Sequence, residues 1–438
     1  MVFRRIQKWF FNLTPAKVLV LGFASVILIG AILLWLPISL MPGVKLTFIQ
    51  ALFEATSAVC VTGLTVIVPG TTFNLFGRIV MAVLIQIGGM GIVLLTLGFL
   101  LVAGSRIGFK TRSLFVQAQN LAGYGGLIQI AKYIFLITFG IEAIGALLLW
   151  LVLMKYFDPL QALGHAAFLS VSAFNNAGFD VFTGGDSLIP YANDFGLIMV
   201  ISALIIIGGF GFIAMMDLIR NHFRWSKLLL TTKVASFMTI LLLALGTILF
   251  KLLTEQTWLE AWFQSVITRT AGFASYPLSD FSSGALLVFI VLMFIGASPN
   301  STGGGIKTTT AFAISLKAFS SSAAHDEDSV FYRRLPEICF TKASTVLYFG
   351  LSTVLVGTIL VCAFDPQFAL GDVLVEVTSA FATVGSSVGI TPSLSPASEL
   401  VIILTMFIGR VGTVTIVNLL VTGQEPKAHY SEESILIG

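Results

Sequence analysis

Four glycines each close a short apolar stretch, and the chemistry they suggest belongs to the main chain. The stretches end in Ser57-Ala58-Val59-Cys60-Val61-Thr62-Gly63, Ser172-Ala173-Phe174-Asn175-Asn176-Ala177-Gly178, Val266-Ile267-Thr268-Arg269-Thr270-Ala271-Gly272 and Ser379-Ala380-Phe381-Ala382-Thr383-Val384-Gly385. Three of the four carry Ser-Ala six and five places before the glycine, and the third departs. A strand that leaves a short helix and runs on to a glycine exposes carbonyl oxygens with no helical partner. At membrane depth such backbone is tolerated only where it lines a polar pathway. Four such strands around one axis offer rings of carbonyl oxygens that can replace a cation's water. The C-terminal ends of the four short helices, aimed inward, add partial negative charge. Glycine suits these positions because it reaches angles other residues resist and adds no bulk.

Other chemistries find less support. No Ser/His/Asp or paired-carboxylate arrangement stands out, so the chain reads as no enzyme. The histidines His165, His222, His325 and His429 are scattered, and Cys60, Cys339 and Cys362 are few and far apart, which argues against zinc or a disulfide framework. Gly303-Gly304-Gly305-Ile306-Lys307-Thr308 only mimics a phosphate loop, because isoleucine separates glycine from lysine and the flanks are apolar spans. No nucleic-acid partner is expected at a net charge of +3 without a basic amphipathic stripe.

A second glycine signature follows each strand: Gly88-Gly89-Met90-Gly91, Gly208-Gly209-Phe210-Gly211, Gly296, and Gly409-Arg410-Val411-Gly412. Each falls in the middle of the next span, where glycine permits close helix approach or a bend. In the third copy, residues 298–310 break the span outright. Pro299 and three successive glycines favour loop over helix. Such a loop either lies across the pore below the strands as a gate or is a fixed kink.

Charges at membrane depth need partners. Arg410 should face the pore or a carboxylate. Lys307 caps the loop or faces the cytoplasm. Arg269 is expected to pair with an acid such as Asp280. Glu54 and Glu376 either tie their short segments to neighbours by hydrogen bonds or tune the field at the strands. Asp180 and Asp186 either attract cations at the mouth or are ordinary loop acids. Glu142 is the only acid deep in a full span.

The elements that position these residues follow from composition. The chain is 57% hydrophobic and 10% charged, too apolar for a soluble fold, so lipid must be its solvent. Apolar runs near 18–36, 79–103, 133–155, 195–216, 234–250, 343–364 and 400–422 are long enough to cross a bilayer, and an eighth beginning at 285–297 is broken. The first run is longer than a signal peptide's and is read as a retained helix. Shorter stretches at 46–59, 161–174, 256–268 and 368–382 suit re-entrant segments.

The expected fold is therefore an all-α integral membrane protein. Four pseudo-fourfold span–pore helix–span repeats, eight transmembrane spans plus four re-entrant pore helices, surround one central pore. The expected division is a cytoplasmic N-terminus at 1–17, repeats at 18–103, 127–219, 234–318 and 338–422, cytoplasmic linkers at 104–126, 220–233 and 319–337, and a cytoplasmic tail at 423–438. With both termini inside, most lysines and arginines fall on cytoplasmic segments; Lys45, Arg78, Lys155 and Lys251 fall outside and Arg269, Lys307 and Arg410 at membrane depth. That is the asymmetry the positive-inside rule demands.

The arrangement resembles the Trk/Ktr/HKT potassium-uptake superfamily, specifically the membrane subunit of bacterial Ktr systems. The resemblance covers nearly the whole chain. It rests on Val61-Thr62-Gly63-Leu64-Thr65, Asn176-Ala177-Gly178-Phe179, Arg269-Thr270-Ala271-Gly272-Phe273, Thr383-Val384-Gly385 and the break at Ser298-Pro299-Asn300-Ser301-Thr302-Gly303-Gly304-Gly305-Ile306-Lys307-Thr308. It implies a potassium filter formed by Val61, Thr62 and Gly63, by Asn176, Ala177 and Gly178, by Thr270, Ala271 and Gly272, and by Thr383, Val384 and Gly385. In the family, glycine in all four loops goes with potassium preference.

The gate would comprise Ser298, Thr302, Gly303, Gly304, Gly305, Lys307 and Arg410, with Arg410 an electrostatic barrier or a latch on the loop; a buried structural ion pair is the plainer role for it. The resemblance also implies a homodimer in the cell membrane and a cytoplasmic ring of nucleotide-binding regulatory subunits of the RCK type. Segments 104–126, 220–233 and 319–337 are candidate docking surfaces. Ile435-Leu436-Ile437-Gly438 could pack at a subunit interface. Nucleotide is expected only on that partner, and no cofactor in this chain beyond potassium as substrate. The alternative function is a secondary transporter coupling potassium to sodium or protons through midplane sites on broken helices.

Overall fold

The computed structural model describes residues 14–91, 94, 127–185, 187–322, 329–413 and 415–416. The linker 104–126, the tail 423–438, residues 1–13 and Asp186 lie outside these, and with them the docking and interface expectations placed there.

Among the described residues, four unbroken helices are long and apolar enough to cross a membrane: Pro15–Trp35, Leu127–Leu153, Leu230–Leu253 and Glu337–Phe364. Each begins one quarter of the chain. Each packs first against the short helix that follows it: Phe48–Cys60, Pro159–Phe174, Trp258–Ile267 or Leu370–Ala382. The two kinds differ in what surrounds them. The long helices expose Leu136, Phe139, Ile144, Ile240, Leu252, Leu355 and Ile359 along one side, a face suited to lipid. The short helices are buried on nearly every side in their last two turns, from Ala55 through Cys60 and from Val375 through Ala382.

Local sequence explains where the short helices start. Thr47 with Gln50 and Thr257 with Glu260 form capping boxes that satisfy orphan N–H groups at both ends of the exchange. Pro159 opens the second short helix at a position that has no use for an N–H. Serines then bind short helix to long helix: Ser170 Oγ donates to the Glu142 carbonyl at 2.6 Å, and Ser265 Oγ to the Leu243 carbonyl at 2.9 Å.

A second helix completes each quarter: Leu75–Met90, Phe195–Phe210, Ser283–Phe294 and Pro396–Val411. Sequence placed a break only in the third. The structure ends or bends the other three at the same place, each at a glycine with positive φ: Gly91 (83°), Gly211 (99°) and Gly412 (92°). After Gly211 the chain resumes as Phe212–Arg220, bent by 93°. The glycine signature therefore meets both expectations, close approach at Gly88, Gly208 and Gly409 and a helix end at the glycine three residues on. The reason is geometric, since a residue at such φ cannot continue a right-handed helix and glycine alone occupies it without strain. In the third quarter the interruption lasts from Ile295 to Lys307, bridged in parallel at Ile295 and Ile306, before Thr308–Ser322 continues. A two-residue hairpin, Ser329–Val330 with Arg333–Arg334, adds a scrap of sheet to a linker expected to hold none.

Candidate functional site

The four strands after the short helices share one backbone. Two residues before each glycine, the chain is left-handed at Val61 (φ 57°), Asn176 (58°), Thr270 (74°) and Thr383 (52°). It is left-handed again at Gly63 (93°), Gly178 (71°), Gly272 (57°) and Gly385 (93°), with a residue of ordinary φ between. Alternation of this kind turns successive carbonyls toward one side. Three of the four non-glycine positions are β-branched, for which left-handed φ is a true outlier that costs on the order of 1–3 kcal/mol each. The same strain four times over means the surroundings over-determine it.

Helix ends supply part of that restraint. The N–H of the residue before the glycine reaches back to the carbonyl six places before that glycine in three quarters: Thr62 to Ser57 at 2.8 Å, Ala177 to Ser172 at 2.7 Å and Val384 to Ser379 at 2.9 Å. In the third, Ala271 bonds Ile267 instead, at 3.0 Å. The Ser-Ala pattern also has a side-chain reason. Ser57 Oγ accepts from the Gly63 N–H and Ser379 Oγ from the Gly385 N–H, both at 3.0 Å. Ser172 Oγ finds no partner among the described residues, and Val266 has no hydroxyl to offer.

The glycines close a ring. A side chain on Gly63 would fall on the Ala177 carbonyl oxygen, one on Gly178 on that of Ala271, one on Gly272 on that of Val384, and one on Gly385 on that of Thr62. Each glycine thus faces the carbonyl immediately before the next glycine, and the fourth returns to the first. The Cα of the neighbouring glycine lies within 2.8–3.3 Å of each imagined Cβ, so alanine does not fit at any of the four. The ring brings together Thr62, Gly63, Ala177, Gly178, Ala271, Gly272, Val384 and Gly385 of the expected set, and Val61, Asn176, Thr270 and Thr383 stand one residue before it on each strand.

A cavity of about 320 Å³ opens on one side of the ring, lined by the four glycines and the residues after them, Asp180 among these. On the other side lies the 298–310 loop. Thr302 Oγ1 donates to Asn176 Oδ1 at 3.0 Å, a side chain on Gly303 would fall on Thr270 Oγ1, and one on Gly304 on Thr383 Oγ1. Three consecutive loop residues therefore sit under three of the four strands, at the same strand position. Thr302 and Ser298 also donate their N–H groups to the Gly208 and Gly209 carbonyls at 3.3 and 3.1 Å.

Arg410 secures the fourth side. Its guanidinium donates to the Thr302 carbonyl and, with its other nitrogen, to the carbonyls of Gly88 and Gly89. It thereby joins the end of the fourth quarter to the loop and to the helix end of the first. No carboxylate pairs with it among the described residues. Lys307 Nζ donates to the Gly303 carbonyl at 2.7 Å, the loop-capping alternative. Ser298 Oγ lies 3.3 Å from Thr308 Oγ1 and closes the base of the loop.

Glu54 and Glu376 act as ties. Glu54 Oε1 accepts from the Val66 N–H at 3.0 Å, and Glu376 Oε1 accepts from the Thr391 hydroxyl. The expected Arg269–Asp280 pair does not form. Arg269 is buried with Nη1 unpartnered among the described residues, while Asp280 is exposed and accepts from Ser279. Eleven residues of sequence separation placed them on opposite sides of a turn. One constellation went unread: Asn175 Nδ2 donates to Glu142 Oε1 at 2.9 Å and Gln86 Oε1 at 3.0 Å, joining the second strand to two other helices. Sequence flagged Glu142 as a deep acid, and the doubled Asn175-Asn176 was the available signal for its partner.

Comparisons with known proteins bear on the family and the fold. The family described as TrkH, cation transport protein, matches residues 14–430. The chain is 37% identical over 453 residues to the potassium/sodium uptake protein NtpJ of Enterococcus hirae, covering 99% of both. It is 35% identical over 447 residues to the Ktr system potassium uptake protein B of Bacillus subtilis, again covering 99% of both. Its fold is similar to the crystal structure of the potassium transporter TrkH from Vibrio parahaemolyticus, with a TM-score of 0.73 at 20% identity over 94% of this chain and 86% of that one. An apolar multi-helix chain that this family matches almost end to end is a multi-pass membrane protein, and it belongs to the TrkH family of cation transport proteins.

Proposed function

We propose that this chain conducts potassium ions across the cell membrane through the ring of carbonyls at Thr62–Gly63, Ala177–Gly178, Ala271–Gly272 and Val384–Gly385. The single observation that carries the reading is the closed cycle of the four glycines, each against its neighbour's carbonyl. Oxygen dipoles from four strands replace the ion's hydration shell, and the C-terminal ends of four short helices favour positive charge. Potassium is named in both uptake proteins above, with sodium beside it in one. In this reading the four quarters are repeats of span, re-entrant helix and span, eight spans in all, with boundaries as expected from sequence. The 320 Å³ cavity is the outer mouth, where Asp180 attracts cations.

The loop of Ser298 to Lys307 is the gate. It occupies the floor of the ring, and Arg410 latches it by three carbonyls on two quarters. Its positive charge stands where an ion would leave. The Ktr system name of a relative implies further components. We assign the opening signal to a separate cytoplasmic nucleotide-binding ring, the chain itself acting as a homodimer with both termini inside.

Expression in cells stripped of their own potassium uptake systems tests the reading. Growth at low potassium and uptake of rubidium are expected. Absence of both, with the protein present in the membrane, would refute it.

A further inference from the structure

The four strands are equivalent at the ring but not behind it. Nine residues before each glycine stands Glu54, Leu169, Phe263 or Glu376. All four are fully buried. In the first and fourth quarters the carboxylate reaches past its own strand to the segment beyond the glycine. Glu54 Oε1 takes the N–H of Val66, three residues after Gly63. Glu376 Oε1 takes the hydroxyl of Thr391, six after Gly385, and Thr391 Oγ1 in turn lies 3.0 Å from Ser387 Oγ. The second and third quarters have no such group. Among the described residues, a main-chain bond from Leu188 N–H to the Ala274 carbonyl at 2.9 Å links their segments beyond the glycine, and Asp180 Oδ1 accepts from the Phe182 N–H within the second.

Burying a carboxylate in this environment is unfavourable without full pairing. Yet Oε2 of both Glu54 and Glu376 lacks a partner among the described residues. Leucine and phenylalanine fill the same position in the other two quarters without that penalty, so the acids serve something other than packing. The one thing they do in the structure is fix the descending half of a strand whose ascending half is strained at Val61 or Thr383.

On the proposed reading of the ring as the ion path, we infer that Glu54 and Glu376 are positioning residues for ion selection. They clamp the first and fourth strands from behind, holding the Thr62–Gly63 and Val384–Gly385 carbonyls at a spacing that suits a larger ion over a smaller one. The two clamped strands are neighbours in the ring. Leaving the Val66 N–H or the Thr391 hydroxyl without its buried acceptor costs enough to alter selection about tenfold.

Rubidium uptake in competition with sodium reads the effect. Glu54→Leu and Glu376→Leu are expected to lower rubidium-over-sodium discrimination about tenfold each, while maximal flux falls less. Glu54→Gln and Glu376→Gln keep an acceptor oxygen at the same place and are expected to restore most of the discrimination. Leu169→Ala, at the same position in the second quarter, is the packing control and is expected to leave discrimination near wild type. Detergent-extracted protein must elute as a single species for each variant. Unchanged discrimination in both leucine variants overturns the inference, as does equal loss in the leucine and glutamine pairs, which would assign the effect to charge. Failure of the parent reading shows differently: the wild type itself would not discriminate, or Gly63→Ser would discriminate as well as it does.

Discussion

In the first, second and fourth quarters, the second helix leans on the end of its own short helix: Gly88 lies against the Val59 carbonyl, Gly208 against that of Phe174, and Gly409 against that of Phe381. Those carbonyls stand four residues before their ring glycines in every case. In the third quarter Gly296 lies against Gly304 of the broken segment instead. The same quarter lacks the Ser-Ala pair and the serine latch, and its Ser282 cap reaches only its own helix, whereas Asn74 holds the Ile38 and Leu40 carbonyls. What it keeps is the backbone of Thr270 and Gly272. The contrast separates two demands on the chain. The ring strands must match in all quarters, because four must close a cycle. The supports behind them are free to differ, and the third quarter gives its support space to the loop.

The largest expected effect tests the first demand. Serine at Gly63, Gly178, Gly272 or Gly385 places a side chain on the neighbouring carbonyl and a non-glycine residue at positive φ, a strain of about 1–3 kcal/mol before any clash. Loss of rubidium-over-sodium discrimination of at least about tenfold is expected at all four. Tolerance at Gly272 alone would show that the third quarter is scaffold and not ring.

Next comes the loop. Deletion of Thr302–Gly305 should raise flux, as should Arg410→Gln, since glutamine cannot make the three carbonyl bonds or supply the charge. A rise of about tenfold in rubidium influx corresponds to about 1.4 kcal/mol, within the range of one buried charged hydrogen bond. Flux that does not change in either variant would make the loop a fixed kink.

A smaller effect separates the serines. Ser57→Ala and Ser379→Ala each leave a ring-glycine N–H without its acceptor, a loss of about 1 kcal/mol, whereas Ser172→Ala removes a hydroxyl without a partner among the described residues. Thermal unfolding in detergent should rank the first two below the third.

The smallest lies at the outer corner of the second quarter. Burial raises the Asp194 pKa, but the Leu197 N–H, the Tyr156 hydroxyl and Lys155 outweigh it and hold the carboxyl below its usual range. A depressed acid stabilises the fold above its ordinary pKa and stops doing so as pH falls through the lowered value. Asp194→Asn keeps a capping oxygen but loses the charge that Lys155 and Tyr156 meet, so it should lower stability at neutral pH by about 1 kcal/mol or less, and the gap to wild type should close in strong acid. A gap that persists there would assign the effect to packing.

Much of this was legible because it is written in one-dimensional signals. Apolar length marked the long and short helices, and Gly63, Gly178, Gly272 and Gly385 could be aligned by eye. The loop was legible from Pro299 and its glycines. What stayed hidden needed three dimensions. Val61, Thr270 and Thr383 carry no mark of left-handed φ, since their type argues for strand. The breaks at Gly91, Gly211 and Gly412 were masked by apolar residues running on beyond them. Arg269 looked near enough to Asp280 in sequence, but a turn sends one inward and the other to the surface. The Glu142–Asn175 contact joins residues 33 apart, and the deep acid and the doubled asparagine each show in the sequence without showing that they meet.

The most direct test is to find the ion. Crystals or vitrified particles of the purified protein prepared in rubidium or thallium should show a scattering peak on the axis of the ring, at bonding distance from the Thr62, Ala177, Ala271 and Val384 carbonyls. A ring without ion density, with peaks placed among side chains elsewhere in the membrane region, would contradict the account.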